Sequence, residues 1–86
     1  MPEICRFLGI VITMYHRDHT LAHFHVFYAE YEASFALEPL RMLSGKLPPR
    51  VLGLVMEWAS LHSDELRDDW VRASRREPLR RIAPLE

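Results

Sequence analysis

Two histidines separated by a single residue are the first feature of this sequence that could carry chemistry. His23 and His25 stand in the run His-Phe-His-Val. In an extended strand, residues two positions apart lie on the same face at a separation of roughly 6.5 to 7 Å. Asp18 and His19 come shortly before the pair and could orient it or supply a further ligand. The spacing makes these four side chains the candidate functional centre.

A metal site is one chemistry that this centre could support. Two imidazoles on one strand face can converge on a single ion, and His19 would complete a set of three protein ligands with His23 and His25. Nitrogen-rich coordination with an open position favours zinc or another late first-row metal, and hence a metal-dependent hydrolase. The alternative is a polar sheet face whose imidazoles hydrogen-bond to their neighbours. The histidine spacing does not distinguish a metal site from a hydrogen-bonded polar face.

Acid–base chemistry on RNA is the second possibility. One histidine could take a proton from a ribose hydroxyl while the other gives a proton to the leaving oxygen, because histidine titrates close to neutral pH. A guanidinium group offers forked donors that fit phosphate oxygens. The arginines that could hold the phosphate are Arg6, Arg17 and Arg41.

The strand that carries the histidines is predicted to belong to an antiparallel meander. Residues 7–15 form a β-branched and aromatic run that is too short for a typical helix, which predicts one central strand. Residues 23–28 and 31–37 alternate in the manner of strands on either side of a short turn at Ala29-Glu30. Residues 41–43 could add a fourth strand. We therefore expect a sheet of three to four strands.

Helical periodicity begins after the sheet. Pro48-Pro49 is typical of a helix start, because proline at the first helical position gives up an amide that has no partner. An apolar stripe follows through Trp58, and Ser63 with acidic residues behind it indicates a restart. Trp70 continues the stripe, and both tryptophans are predicted to pack in the core. The fold class is therefore α+β, with two C-terminal helices or one kinked helix packed on the sheet.

Composition limits the remaining possibilities. The chain of 86 residues has room for a single domain over residues 1–86, and a domain this small often pairs with a partner or forms a homodimer. A net charge of −1 argues against a strongly basic nucleic-acid surface. The lone Cys5 suits a reducing compartment, and no run reaches the ~20 apolar residues of a membrane span, so we expect a cytoplasmic protein. Residues 77–86 are predicted to form an extended basic tail.

Several segments together resemble a known family. They are Gly9 to Tyr15, Asp18-His19-x-x-x-His23-Phe24-His25-Val26, Gly45-Lys46-Leu47-Pro48, Glu57-Trp58-Ala59, Leu61-His62, Glu65-Leu66 and Trp70. On these residues the chain resembles the bacterial domain-of-unknown-function family 4160 (DUF4160). It departs from the family at Leu21-Ala22, where members usually have two prolines that make the approach to the histidine strand rigid. The resemblance implies a component of a toxin–antitoxin module beside a second small protein, and it brings no catalytic mechanism.

These observations rank three hypotheses. The leading hypothesis is a toxin–antitoxin component that acts on or binds RNA or its cognate partner, with His23 and His25 as the centre and Asp18 and His19 orienting them. The alternative is a non-catalytic module that binds a protein partner through the hairpin and the tail. A metal-dependent hydrolase is the third.

Overall fold

The structure is a computed structural model that describes residues 2–86, with five strands followed by two helices. The elements are β1 (Glu3–Phe7), β2 (Ile10–Thr13), β3 (His23–Tyr28), β4 (Tyr31–Leu37), β5 (Leu40–Gly45), α1 (Pro49–Leu61) and α2 (Ser63–Ser74). The strands pair antiparallel in chain order, β1-β2-β3-β4-β5. The predicted α+β meander with two C-terminal helices is confirmed. The predicted count of three to four strands is wrong, because the sheet has five.

The additional strand arises because the chain reverses within the segment predicted as one central strand. Leu8 and Gly9 have φ values of +50° and +80°, and Phe7 pairs with Ile10 across them. Tight two-residue hairpin turns require such left-handed backbone, usually supplied by Asn-Gly. A leucine at positive φ is strained and gives no turn signal in the sequence. The apolar run therefore contains a hairpin between β1 and β2 that has no turn signal in the sequence.

The other element boundaries follow local sequence signals. β3 and β4 have the predicted bounds, and Ala29 in the turn between them has a φ of +51°. The turn between β4 and β5 contains a cis Glu38–Pro39 peptide bond. α1 begins at Pro49, as proline chemistry predicts, and α2 begins directly after His62. The Ala29-Glu30 turn and the helix-start residues were therefore reliable markers, in contrast to the reversal at Leu8-Gly9.

One face of the sheet carries the core. Trp58 of α1 has no exposed surface, and its ring lies 6.1 Å from the rings of both Phe7 and Phe24. Phe24 in turn stacks on Phe35 of β4 at 5.3 Å. Aromatic pairs at such separations contribute about 0.5 to 1.5 kcal/mol beyond their buried area. The prediction that Trp58 packs in the core is confirmed, and β3 presents its alternate residues to the opposite face.

The C-terminal segment returns to the core. Residues 77–86 contain no helix or strand, yet the buried Ile82 donates its N–H to the Ile4 carbonyl at 2.8 Å. The Trp58 Nε1–H donates to the Ala83 carbonyl at 2.9 Å. The segment is therefore held by the edge strand β1 and by the core tryptophan.

Between residues 2 and 86, neither helix is long and apolar enough to cross a membrane.

Two glycines provide a matched test of this fold. Gly45 has a φ of +90°, and a Cβ there would clash with the Glu32 carbonyl oxygen and lie 2.6 Å from the Ala33 Cα. Gly53 is in the middle of α1 with no atom within 4 Å of an added Cβ. We expect Gly45→Ala to lower the free energy of unfolding by about 2 to 4 kcal/mol. Gly53→Ala should raise it by about 0.5 to 1 kcal/mol.

Urea denaturation of the two variants beside the parent measures both effects. The same chemical change is made at both sites, so a difference of sign isolates the strained backbone at Gly45. In the pairing of β4 with β5, Gly45 lies opposite Ala33 and the register shifts between Ser34 and Phe35. A Gly45→Ala variant as stable as the parent would contradict this close pairing.

Candidate functional site

A row of polar side chains crosses the sheet on the face opposite the core. Thr13 pairs directly with His25, His25 with Ser34, and Ser34 with Ser44. Directly paired residues of antiparallel strands point to the same side of a sheet. The Ser34 and Ser44 hydroxyls hydrogen-bond to each other at 2.7 Å. Four strands, from β2 to β5, thus supply a polar floor that has His25 near its centre.

His23 is held in one orientation by the backbone. Its Nδ1 lies 2.7 Å from the Leu21 carbonyl oxygen, and the residue is only 8% exposed. A carbonyl oxygen can only accept, so Nδ1 carries the hydrogen of this bond. In the neutral ring the other nitrogen, Nε2, then keeps its lone pair. The contact with Leu21 therefore prepares Nε2 of His23 to accept a proton.

His23 belongs to a group of five packed rings that is referred to as the ring cluster: Tyr15, His16, His23, His25 and Trp70. Tyr15 stacks on His25 at 5.1 Å with the planes 11° apart. His23 lies edge-on to His25 at 5.1 Å and lies 5.2 Å from Trp70, whose other neighbour is His16 at 5.1 Å. Each imidazole thus has at least one ring in contact. This packing limits the orientations that the histidines can adopt.

The environment of His25 disfavours its charged form. Burial lowers the pKa of His25 below its usual value, and repulsion from His23 lowers it further, against a weaker opposing effect of Glu32. Within residues 2–86, His25 Nε2 and Thr13 Oγ1 are buried without a hydrogen-bond partner. Leaving a buried polar atom unpaired costs about 1 to 3 kcal/mol. The site therefore favours the neutral form of His25 at some expense in stability.

An open groove of about 360 Å³ gives access to both histidines. Its lining residues are Tyr15, Arg17, Thr20, Leu21, His23, His25, Ser34 and Leu43. Among the three arginines predicted to bind phosphate, Arg17 lines the groove. Arg6 instead forms an ion pair with Glu3 at 2.7 Å, and Arg41 lies exposed on β5 opposite Ala36. The structure thus brings one of these three guanidinium groups to the histidines.

Asp18 and His19 have other surroundings. The Asp18 carboxylate lies 3.7 Å from His16 Nδ1 and is 87% exposed, and His19 is in an exposed turn with a φ of +64°. Between residues 2 and 86, no hydrogen bond or ion pair joins either residue to His23 or His25. In the same part of the chain, no three side chains of His, Cys, Asp or Glu are placed to hold a metal ion together. The zinc site stays a prediction, and the observed orienting contact on His23 comes from a carbonyl.

Sequence reasoning missed three members of the ring cluster. Tyr15 could have been found, because it follows Thr13 by two positions and so shares the face of His25. His16 carried no such signal in its polar connection. Trp70, predicted to pack in the core, does pack against it as a half-buried side chain, and it also contacts His16 and His23. Its role depends on where α2 lies relative to the sheet.

Comparison with known proteins adds one match. The family model described as "Domain of unknown function (DUF4160)" matches residues 9–71. The matched range contains every member of the ring cluster and all residues that line the groove. No curated protein and no solved structure matches this chain.

Replacing His25 should reduce the dependence of stability on pH. The folded-state pKa of His25 lies below its ordinary value of 6.5, so the unfolded state binds more protons as the pH falls below that value. The contribution of His25 to stability is present above the unfolded pKa and is lost as the pH falls through the folded pKa. We expect the His25→Gln variant to lose less stability than the parent between about pH 7.5 and pH 5.5.

Urea denaturation at the two pH values measures this difference. The exposed His19 provides the control, because His19→Gln removes a histidine that is in contact with solvent and should retain the loss seen in the parent. If His25→Gln loses as much stability as the parent, burial of His25 is not the source of the pH dependence.

Proposed function

The chain belongs to the DUF4160 family of domains of unknown function, and we propose that it is a toxin–antitoxin component that cleaves RNA with His23 and His25. The observation that supports this most directly is the bond from His23 Nδ1 to the Leu21 carbonyl. It leaves Nε2 as the proton acceptor of a neutral imidazole beside a second imidazole and a guanidinium group. That combination of groups suits general acid–base chemistry on a phosphodiester.

The reaction assigns a role to each group. His23 Nε2 takes the proton from a ribose 2′-hydroxyl, and the freed oxygen attacks the adjacent phosphorus. The bond from phosphorus to the 5′ oxygen of the next nucleotide breaks, and the imidazolium of His25 gives that oxygen a proton. Arg17, which lines the same groove, holds the non-bridging oxygens with its forked donors. Positioned acids and bases of this kind contribute about 10² to 10⁴ in rate.

The lowered pKa of His25 fits a role that begins when substrate binds. In the free protein, burial and repulsion from His23 lower the pKa of this ring and so favour its neutral form. A phosphate in the groove adds a negative charge nearby, and an opposite charge favours the protonated form of an imidazole. The substrate thus promotes protonation of its own general acid. Activity should accordingly rise from alkaline to mildly acidic pH.

A protein partner is the second candidate, and an apolar rim favours it. Leu21 and Leu43 line the groove with 59% and 37% of their surfaces exposed. Exposed apolar groups around a polar centre are typical of interaction sites. A small cognate protein seated there would cover the histidines. The chain would then be a non-catalytic antitoxin or regulatory partner.

A polar substitution at this rim separates the two candidates better than removal of the tail. Ile82 is buried and bonded to Ile4, so truncation after Pro78 would remove part of the fold along with any binding surface. Leu43→Ser leaves those contacts in place. Loss of partner capture with RNA cleavage retained would show that a protein partner binds at the rim.

His23→Asn is the sharpest test of the RNA-cleaving site. The asparagine amide can still donate to the Leu21 carbonyl, but it has no basic nitrogen. We expect cleavage of an RNA dinucleotide to fall by about 10² to 10⁴, with a similar fall in His25→Gln. His62→Asn is the matched control, because His62 lies outside the groove at the start of α2, where asparagine is a favourable cap.

The chain's folding is checked in the same samples by circular dichroism, and cleavage products are separated by chromatography. Equal rates in the parent and folded His23→Asn would exclude His23 as the base. Equal losses in His62→Asn would point to a general effect of histidine replacement.

The toxin assignment is tested by growth. We expect expression of the parent chain alone in a bacterium to arrest growth and degrade total RNA, and expression of His23→Asn to do neither. Arrest by both would indicate toxicity through binding instead of cleavage. Normal growth with the parent would contradict the toxin assignment and favour the antitoxin role.

A further inference from the structure

A second depression adjoins the histidine groove. It has a volume of about 360 Å³ and is lined by His16, Arg17, Asp18, Ala73, Ser74 and Arg76. Arg17 lines both depressions. The Trp70 ring contacts His23 on the groove side and His16 on the side of the second depression. The two depressions are therefore neighbours that share one arginine, Arg17, and are linked by the Trp70 ring.

Some surface arginines are paired with carboxylates and others are not; both arginines of the second depression belong to the unpaired group, as do Arg41, Arg50, Arg75 and Arg80 among residues 2–86. Arg67, Arg72 and Arg81 each form an ion pair with a carboxylate. Arg17 and Arg76 have no ion-pair partner among residues 2–86. The lining contains one carboxylate, Asp18, which lies 3.7 Å from His16 Nδ1. Two arginines against one carboxylate leave the lining with a net positive charge, which suits an anion.

Two hydrogen bonds fix the backbone around Arg76. Arg76 follows α2 with a φ of +59°, and its N–H donates to the Ala73 carbonyl at 3.1 Å. The Glu77 N–H donates to the Arg72 carbonyl at 2.9 Å. A left-handed residue with such return bonds is a common way to end a helix, and it satisfies carbonyls that would otherwise repel an anion. Arg76 is thus anchored at its backbone beside the depression.

We propose that the depression between Arg17 and Arg76 binds a second phosphate of the RNA strand whose cleaved phosphate lies at His23 and His25. This inference rests on the proposed function and adds a binding subsite to it. Arg17 stands where the strand passes from one depression to the other, and Trp70 and His16 form the wall along that path. Arg76 lies outside the family match at residues 9–71, so the subsite is not implied by the family.

The test measures RNA binding separately from cleavage. A labelled 2′-O-methyl RNA of about ten nucleotides lacks the attacking hydroxyl and has the length typical of single-strand sites. Its affinity is measured by fluorescence anisotropy over a series of salt concentrations for the parent, Arg76→Gln and Arg50→Gln. Arg50 is the matched control, because it is exposed in α1, lines neither depression and loses the same charge.

We expect Arg76→Gln to weaken binding about tenfold and to reduce the slope of log affinity against log salt by about 0.7, the value for one lost phosphate contact on a single strand. Arg50→Gln should change neither quantity appreciably. Cleavage of an RNA dinucleotide, which is too short to reach the second depression, should be the same in Arg76→Gln and the parent.

Three results would overturn the inference. The first is equal affinities and salt slopes in Arg76→Gln and Arg50→Gln, and the second is failure of the parent to bind the RNA. Loss of an acidic protein partner in Arg76→Gln, with RNA binding intact, would assign the depression to a protein interface. The dinucleotide assay separates this failure from that of the proposed function, since cleavage there depends on His23 and does not involve Arg76.

Discussion

The burial of Trp58 is the interaction on which the rest of the structure depends. Its indole contacts Phe7 of β1 and Phe24 of β3, and its Nε1–H reaches the Ala83 carbonyl of the C-terminal segment. One side chain thereby joins a helix, two strands and the end of the chain. A domain of this size has a small core, so a fully buried tryptophan is a large part of its apolar burial. The contact also determines which face of β3 is covered.

The strict alternation of β3 links this core contact to the position of the candidate site. With Phe24 and Val26 fixed against the helices, His23 and His25 must lie on the other face. On that face, the connection before β3 folds close enough for the Leu21 carbonyl to bond to His23 and for Tyr15 to stack on His25. The site is thus built from a rigid strand and a short neighbouring segment, which keeps its donors and acceptors in place.

The same face carries costs that a purely structural sheet would avoid. His25 Nε2 and Thr13 Oγ1 are buried without partners among the described residues, and two imidazoles in contact repel each other when both are charged. Unpaired buried polar groups and like charges in contact are common where a protein binds or transforms a ligand. Leu8, at positive φ between β1 and β2, has no such role in the structure and is explained by the tight turn alone.

The sequence by itself determined the parts of this protein that depend on local periodicity. Alternation identified β3 and β4 with their bounds, proline chemistry placed the start of α1, and the His-Phe-His spacing put two imidazoles on one face. Only the tertiary structure decided what surrounds them. Four features bring residues together through chain reversal or packing. They are the turn at Leu8-Gly9, the contact of Trp70 with His23, the proximity of Asp18 to His16, and the depression that Arg17 and Arg76 both line. Such contacts have no periodic signal, because they depend on how the elements are arranged in space.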